Sequence, residues 1–254
     1  MSIPRVHMEQ ALAEGAECAL TPAQAHHLGV VLRRAPGAAL RAFNATDGEF
    51  DAELTALRKE RGAVRIGPRR REPVVEPELR ALIAGLKRDA MGWAVEKATE
   101  LGATRIIPVL TRRCVAEGGK TERLAAIARG AAEQCERLSV PVVDSARPLH
   151  AVLDAWDGAP LYVAAERREA RPLLEFLPVL SAPCAFLVGP EGGFERAELD
   201  DLARRPFVSL ASLGPRILRA ETALVAGLSA MSLSLDHPPD ASGTRAPHVQ
   251  PRPG

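Results

Sequence analysis

Between Ala185 and Leu235 the chain uses one local arrangement twice. Two short apolar runs, Ala185–Val188 and Phe207–Leu213, each end in a glycine-bearing turn, GPEGG and then LGPRIL, and each turn leads into a helical pattern. Short apolar runs bounded by Gly and Pro read as buried strands. Glycines at strand ends let backbone N–H groups come close to a ligand, and in open α/β sheets ligands sit beyond the carboxyl ends of the strands. Two such loops side by side make one pocket. GPEGG alone serves equally well as an ordinary strand-to-helix turn; its pairing with LGPRILRAETA favours the pocket.

The same alternation extends upstream. Leu79–Leu86, Arg105–Leu110, Val140–Val143 and Leu161–Ala165 read as strands separated by helical segments, which implies a parallel α/β sheet. Leu86, Ala90, Trp93, Ala94, Ala98 and Leu101 are spaced for one core-facing helix face, with Trp93 as packing and Gly102 at the C-cap. The first residues differ. Leu40–Phe43, Phe50–Leu57 and Ala63–Ile66 are short apolar segments divided by turn signals at Pro36-Gly37, Asp47-Gly48 and Arg61-Gly62, the pattern of a small antiparallel barrel. One helix, around Ala23–Arg34, interrupts them, with Thr21 as N-cap and Pro22 at the first helical position. GPRRREPVVEP (Gly67–Pro77) reads as a linker. The expected organisation is a barrel over 1–72, an α/β unit over 73–236 and a disordered, proline-bearing tail over 237–254.

Composition narrows the function classes. A formal net charge of +1 over 254 residues excludes a wholesale polycation, so any nucleic-acid surface is local. Seven basic residues stand between Arg58 and Arg71 against the single acid Glu60, enough for salt-sensitive phosphate contacts, though charge guarding a strand edge gives the same pattern. Cys18, Cys114, Cys135 and Cys184 lie too far apart for a CxxC site, and no signal-peptide pattern or long apolar run opens the chain. The expectation is a reduced, cytoplasmic, metal-free protein with no membrane segment. Glu117-Gly118-Gly119-Lys120-Thr121 ends like a phosphate-binding loop, but Cys114 occupies the place of its first glycine. No GxGxxG, HExxH or GxSxG is present, which removes the Rossmann, zincin and hydrolase readings.

GPEGGF (Gly189–Phe194), LGPRILRAETA (Leu213–Ala223), EKATELGATRIIPVLTRRC (Glu96–Cys114) and AAEQCER (Ala131–Arg137) resemble the sequence blocks of the RsmE family. Members of that family are 16S rRNA uracil(1498)-N3-methyltransferases of the SPOUT superfamily. IPRVH (Ile3–His7) and HHLGVVLRRAPGAAL (His26–Leu40) match as well. The resemblance implies a trefoil-knotted SPOUT α/β domain preceded by a PUA-like RNA-binding β-barrel, with the last helix, about Glu221–Leu235, threaded through a loop. It further implies S-adenosylmethionine as cofactor, 16S rRNA of the small ribosomal subunit as partner, and a homodimer.

Carried over by motif, the cofactor contacts fall on Leu187, Val188, Gly189 and Gly193 of one loop and Leu213, Gly214, Ile217, Leu218 and Ala223 of the other. Glu221 and Thr222 begin the last helix, where a carboxylate also serves the helix dipole. The RNA-binding candidates are Arg33, Arg34, Arg69, Arg70 and Arg71. Uracil N3 carries a proton that must leave, so a base or a nearby positive charge is required. No histidine falls in the matched catalytic blocks, which leaves arginines: Arg5 and Arg219 are the catalytic candidates, with Arg216 beside them, each equally able to clamp a phosphate. A non-catalytic RNA-binding protein and a methylase of another RNA base remain as alternatives.

Overall fold

The computed structural model describes residues 3–116, 118–165 and 169–237. Its chain builds two sheets, each with its own apolar core. The first contains β1 (Arg5–His7), β2 (Glu17–Leu20), β3 (Ala39–Asn44), β4 (Gly48–Arg58) and β5 (Arg61–Arg71), in the order β1-β3-β4-β5-β2. Only the β1–β3 pair is parallel; the curled sheet wraps Val6, Met8, Leu28, Leu40, Leu54, Val64 and Ile66. A short helix, α1 (Pro22–His26), plugs the barrel with buried Ala25. Thr21 caps it as expected: the Gln24 amide donates to Thr21 Oγ1 at 3.3 Å, and the Thr21 amide donates to Gln24 Oε1 at 2.9 Å.

Two expectations for this half change. The helix stops at His26, eight residues before Arg34, and continues as one π-helical turn over His27–Val31, which leaves Val30 and Val31 exposed and Arg33 at φ +51. Consecutive β-branched residues disfavour further α-helix. The linker also shrinks, because Gly67–Arg71 continues β5: Arg69 faces Phe50 and Arg71 faces Glu49. Pro68 is tolerated because the register shifts there, so its missing N–H falls outside the ladder.

The second sheet is wholly parallel. It contains β6 (Leu79–Ala84), β7 (Arg105–Leu110), β8 (Val142–Val143), β10 (Leu161–Ala164), β11 (Arg171–Pro172), β12 (Cys184–Val188) and β13 (Val208–Ser212), ordered β11-β13-β10-β12-β6-β7-β8; β9 (Arg147–Pro148) also pairs with β7. The expected strand at Val140–Val143 is reduced to two residues, since Pro141 cannot donate to a ladder. Helices α2 (Arg88–Glu100), α3 (Thr121–Gln134) and α6 (Ala220–Asp236) cover one face over Ile83, Phe186 and Val188. On the other face, α4 (Leu149–Asp154) and α5 (Arg196–Arg204) cover Leu82, Val163 and Leu187. Burial on both faces is why these strands read as continuous apolar runs. Trp93 departs from the expected packing role: it is 42% exposed, with Lys97 Nζ 5.9 Å from the ring centroid. Gly102 ends α2 at φ +87, as expected.

The chain runs from β12 to β13 on the far side of β10, then returns through α6, which packs against β12, β6 and α2. This return brings the α6 backbone onto β12 at Gly227, where any Cβ would overlap the ring of fully buried Phe186. The tail expected to be disordered lies, after His237, outside the described residues. Replacing Gly227 with Ala should lower the unfolding free energy by about 1–3 kcal/mol through overpacking, measured by urea denaturation. Unchanged stability would mean that α6 does not seat this closely.

Candidate functional site

The carboxyl ends of β6, β10, β12 and β13 open into one cavity of about 470 Å³. On one side is the loop after β12. Gly189 must be glycine because a Cβ there would lie 2.9 Å from the Phe194 ring, and Gly193 turns the chain at φ +68 while its amide donates to the Pro190 carbonyl at 2.8 Å. Glu195 then caps α5 in a reciprocal arrangement with Glu198. On the other side is the loop after β13. Gly214 adopts φ +109 and its amide donates to Ser212 Oγ at 3.2 Å; Ile217 is 70% exposed; Arg219 is the N-cap of α6, its carbonyl accepting from the Ala223 amide.

The cavity wall therefore gathers Val188, Gly189, Gly193, Leu213, Gly214, Ile217, Leu218 and Ala223, all expected from the sequence. Leu187 is the exception. Strand alternation points it into the opposite core with Leu82 and Val163, away from the cavity. Arg219 and Arg216 line the wall, as does Glu221, whose Oε2 is buried without a hydrogen-bond partner among the described residues. Such an oxygen accepts from a hydroxyl or ammonium group of a ligand.

Lys87, Ala90, Arg113 and Glu191 also line the cavity and were missed. The rule that found the two loops would have found Lys87 and Arg113, since they follow the carboxyl ends of β6 and β7. Arg113 is tied in place, Nη1 donating to the Gly192 carbonyl at 3.2 Å, while neighbouring Arg112 donates to Glu195 Oε2 at 3.2 Å.

Comparison with known proteins fits this geometry. Residues 75–232 match the RNA methyltransferase domain family. The ribosomal RNA small subunit methyltransferase E of Rickettsia conorii is 34% identical over 93% of this chain and 98% of its own length. The chain belongs to the RsmE family. A second relative, from Bacillus subtilis, carries the same name and is 29% identical over 88% of this chain and 93% of its own. Two solved structures superpose closely. The Neisseria gonorrhoeae methyltransferase E bound to S-adenosyl methionine gives a TM-score of 0.80 at 30% identity, covering 92% of this chain and 98% of that one. A Legionella pneumophila putative methyltransferase in complex with the same cofactor gives 0.82 at 28%, with the same coverage. The RsmE assignment brings with it the SPOUT fold expected from the sequence blocks.

Arg5 lies outside the cavity of this RsmE chain. Its side chain is 7% exposed and its donors are spent at the joint between the two sheets: Nε on Glu49 at 2.6 Å, Nη1 on the Ala132 and Glu133 carbonyls, and Nη2 on the Arg137 carbonyl at 2.8 Å. Ala132 and Glu133 lie in the last turn of α3, where four acceptors have no intrahelical donor, and Arg137 follows three residues after its end. The guanidinium also lies 4.0 Å from the Phe43 ring centroid. The His7 amide donates to Glu133 Oε1 at 3.0 Å; burial pushes the Glu133 carboxyl above its ordinary range and holds His7 below its own. Arg71 reaches the same joint, donating to the Glu136 carbonyl at 2.8 Å.

The remaining basic candidates divide. Arg70 pairs with Asp51 and Arg69 with Glu72, so both have internal partners. Arg33 and Arg34 close the π-helical turn, and Arg34 Nε is buried without a partner among the described residues. Among the described residues no three His, Cys, Asp or Glu could hold a metal, and no helix is long and apolar enough to cross a membrane. Burial pushes the Cys184 thiol up to about 12, so it stays protonated and inert. Arg5→Ala leaves Glu49 with only the longer ion pair to Arg71 at 3.9 Å and removes the donor from three carbonyls, and should lower unfolding free energy by about 3 kcal/mol while hydrogen exchange at the end of α3 accelerates. Arg5→Lys should recover only part of this, because one ammonium cannot fork as a guanidinium does.

Proposed function

We propose that this chain uses S-adenosylmethionine to methylate N3 of the 1498-equivalent uridine of 16S rRNA in the small ribosomal subunit. The observation that carries the reading is the convergence of the GPEGG and LGPRILRAETA loops on one cavity, in a chain whose solved relatives are described as bound to that cofactor. The cofactor supplies a methyl group activated on a sulfonium. The fit is physical: Gly214, with open space where a Cβ would stand, admits close backbone approach, Gly193 turns its loop at positive φ, and Glu221 Oε2 offers an acceptor to an amine or ribose hydroxyl. The protein's task is then to hold the acceptor base in line and free of water. N3 lies on the pairing edge of uracil, so the base must enter unpaired.

RNA docking falls to the barrel end that carries the π-helical turn. Gly29 of that turn lies against Leu57, where a Cβ would be 3.2 Å from its Cδ2, so Arg33 and Arg34 sit beside the β4–β5 tip bearing Arg58, Lys59 and Arg61. Those tip cations have no ion pair among the described residues and are free for phosphates. Mass spectrometry of 16S rRNA from a deletion strain should show the N3-methyl group absent, and restored by this chain. A different modified base, or none, would overturn the assignment.

Two further outcomes are expected. Any residue with a Cβ at Gly193 meets a left-handed backbone costing roughly 1–2 kcal/mol. Gly193→Val should therefore abolish calorimetrically detected S-adenosylmethionine binding while circular dichroism is unchanged. The protein should also be a homodimer built on α6, which buries one side against Phe186 yet leaves Ala226 and Leu233 exposed. Light scattering at micromolar concentration should return twice the 27.1 kDa chain mass.

A further inference from the structure

The cavity is lined by cations from two directions. Arg216 and Arg219 belong to the loop after β13, whereas Lys87 follows β6 and Arg113 follows β7. The sheet order β13-β10-β12-β6-β7 separates them. With neighbouring strands about 4.8 Å apart, the end of β6 lies roughly 14 Å along the sheet edge from the end of β13. The two glycine-bearing loops leave β12 and β13, so the cofactor occupies that part of the edge. The β6 side is left for the acceptor base.

Arg113 is already engaged with the Gly192 carbonyl. Lys87 accepts from the Met91 amide through its backbone carbonyl at 2.8 Å, but its ammonium group has no hydrogen bond or ion pair among the described residues, although Glu191 and Glu221 share the cavity. It is the N-cap of α2, a helix of 13 residues whose first turn receives no side-chain cap. The helix dipole therefore adds positive potential at the same place. Ala90, one turn on, is small and leaves the wall open.

We propose that Lys87 is a catalytic residue that contacts the target uracil and stabilises its N3-deprotonated form. The inference rests on the methyltransferase reading given above. The N3 proton passes to solvent water, and the negative charge spreads onto the flanking carbonyl oxygens, one of which accepts from the Lys87 ammonium. The N3 lone pair then forms the bond to the methyl carbon as the carbon–sulfur bond breaks, its electron pair returning to sulfur. Charge stabilisation by a pre-positioned donor is the appropriate device here, because no histidine stands among the described residues that line the cavity.

Methyl transfer to small ribosomal subunits purified from a deletion strain, measured in single turnover with both substrates saturating, tests this. Since the Lys87 side chain makes no cap, Lys87→Met should fold normally. Its rate near neutral pH should fall roughly 100-fold, the effect of removing one pre-positioned donor. The rate should also keep rising to higher pH than in the unsubstituted enzyme, with calorimetric affinity for S-adenosylmethionine unchanged. Lys87→Arg should recover most of the rate. A rate and pH profile like those of the unsubstituted enzyme would overturn the proposal. So would weakened cofactor binding with the saturated rate preserved, which assigns Lys87 to the cofactor carboxylate. If the unsubstituted chain transfers no methyl group, the functional reading itself fails before any variant is compared, and this inference falls with it.

Discussion

The close seating of α6 on β12, permitted by the absence of a side chain at Gly227, sets the geometry of the site. One wall of the cavity is the loop leaving β12, and another is the first turn of α6 with the loop before it. The separation of these walls is therefore fixed by a backbone-to-ring contact in the core. Side chains at the rim do not set it. Interiors packed at crystal density transmit such a constraint with little slack. The site is built on a strand and a helix that both pack into the core, with the glycine turns at its rim.

The parts legible in the sequence are those governed by local rules. Strands buried on both faces announce themselves as apolar runs, so the strands at Arg105–Leu110 and Cys184–Val188 were found nearly to the residue. Thr21, Pro22 and Gly102 follow from cap chemistry. Both glycine turns were visible because positive φ and close approach leave few alternatives to glycine.

What remained hidden depends on tertiary partners. Continuation of β5 through Pro68 depends on a bulge that no composition rule reveals. Trp93 fits the apolar spacing of α2, yet it lies on the edge of that stripe and opens to solvent. Leu187 and Val188 are adjacent in the same motif, but strand alternation sends only one of them to the cavity. Arg5 matches a family block, and a block cannot say whether an arginine faces a substrate or a helix end. Three backbone carbonyls decide that, and backbone carbonyls have no sequence signature.

The joint at Arg5 also has a temporal side. Its guanidinium waits for acceptors 127 to 132 residues further along the chain. Strands β1 to β5 complete their pairing within the first 71 residues, so the barrel can close on the ribosome well before α3 emerges. Until then a buried-type arginine and its partner Glu49 stand at an open, solvated edge. The order of synthesis thus lets the barrel pair its strands before the joint is made. The contacts made at that joint set how the barrel is held relative to the α/β sheet.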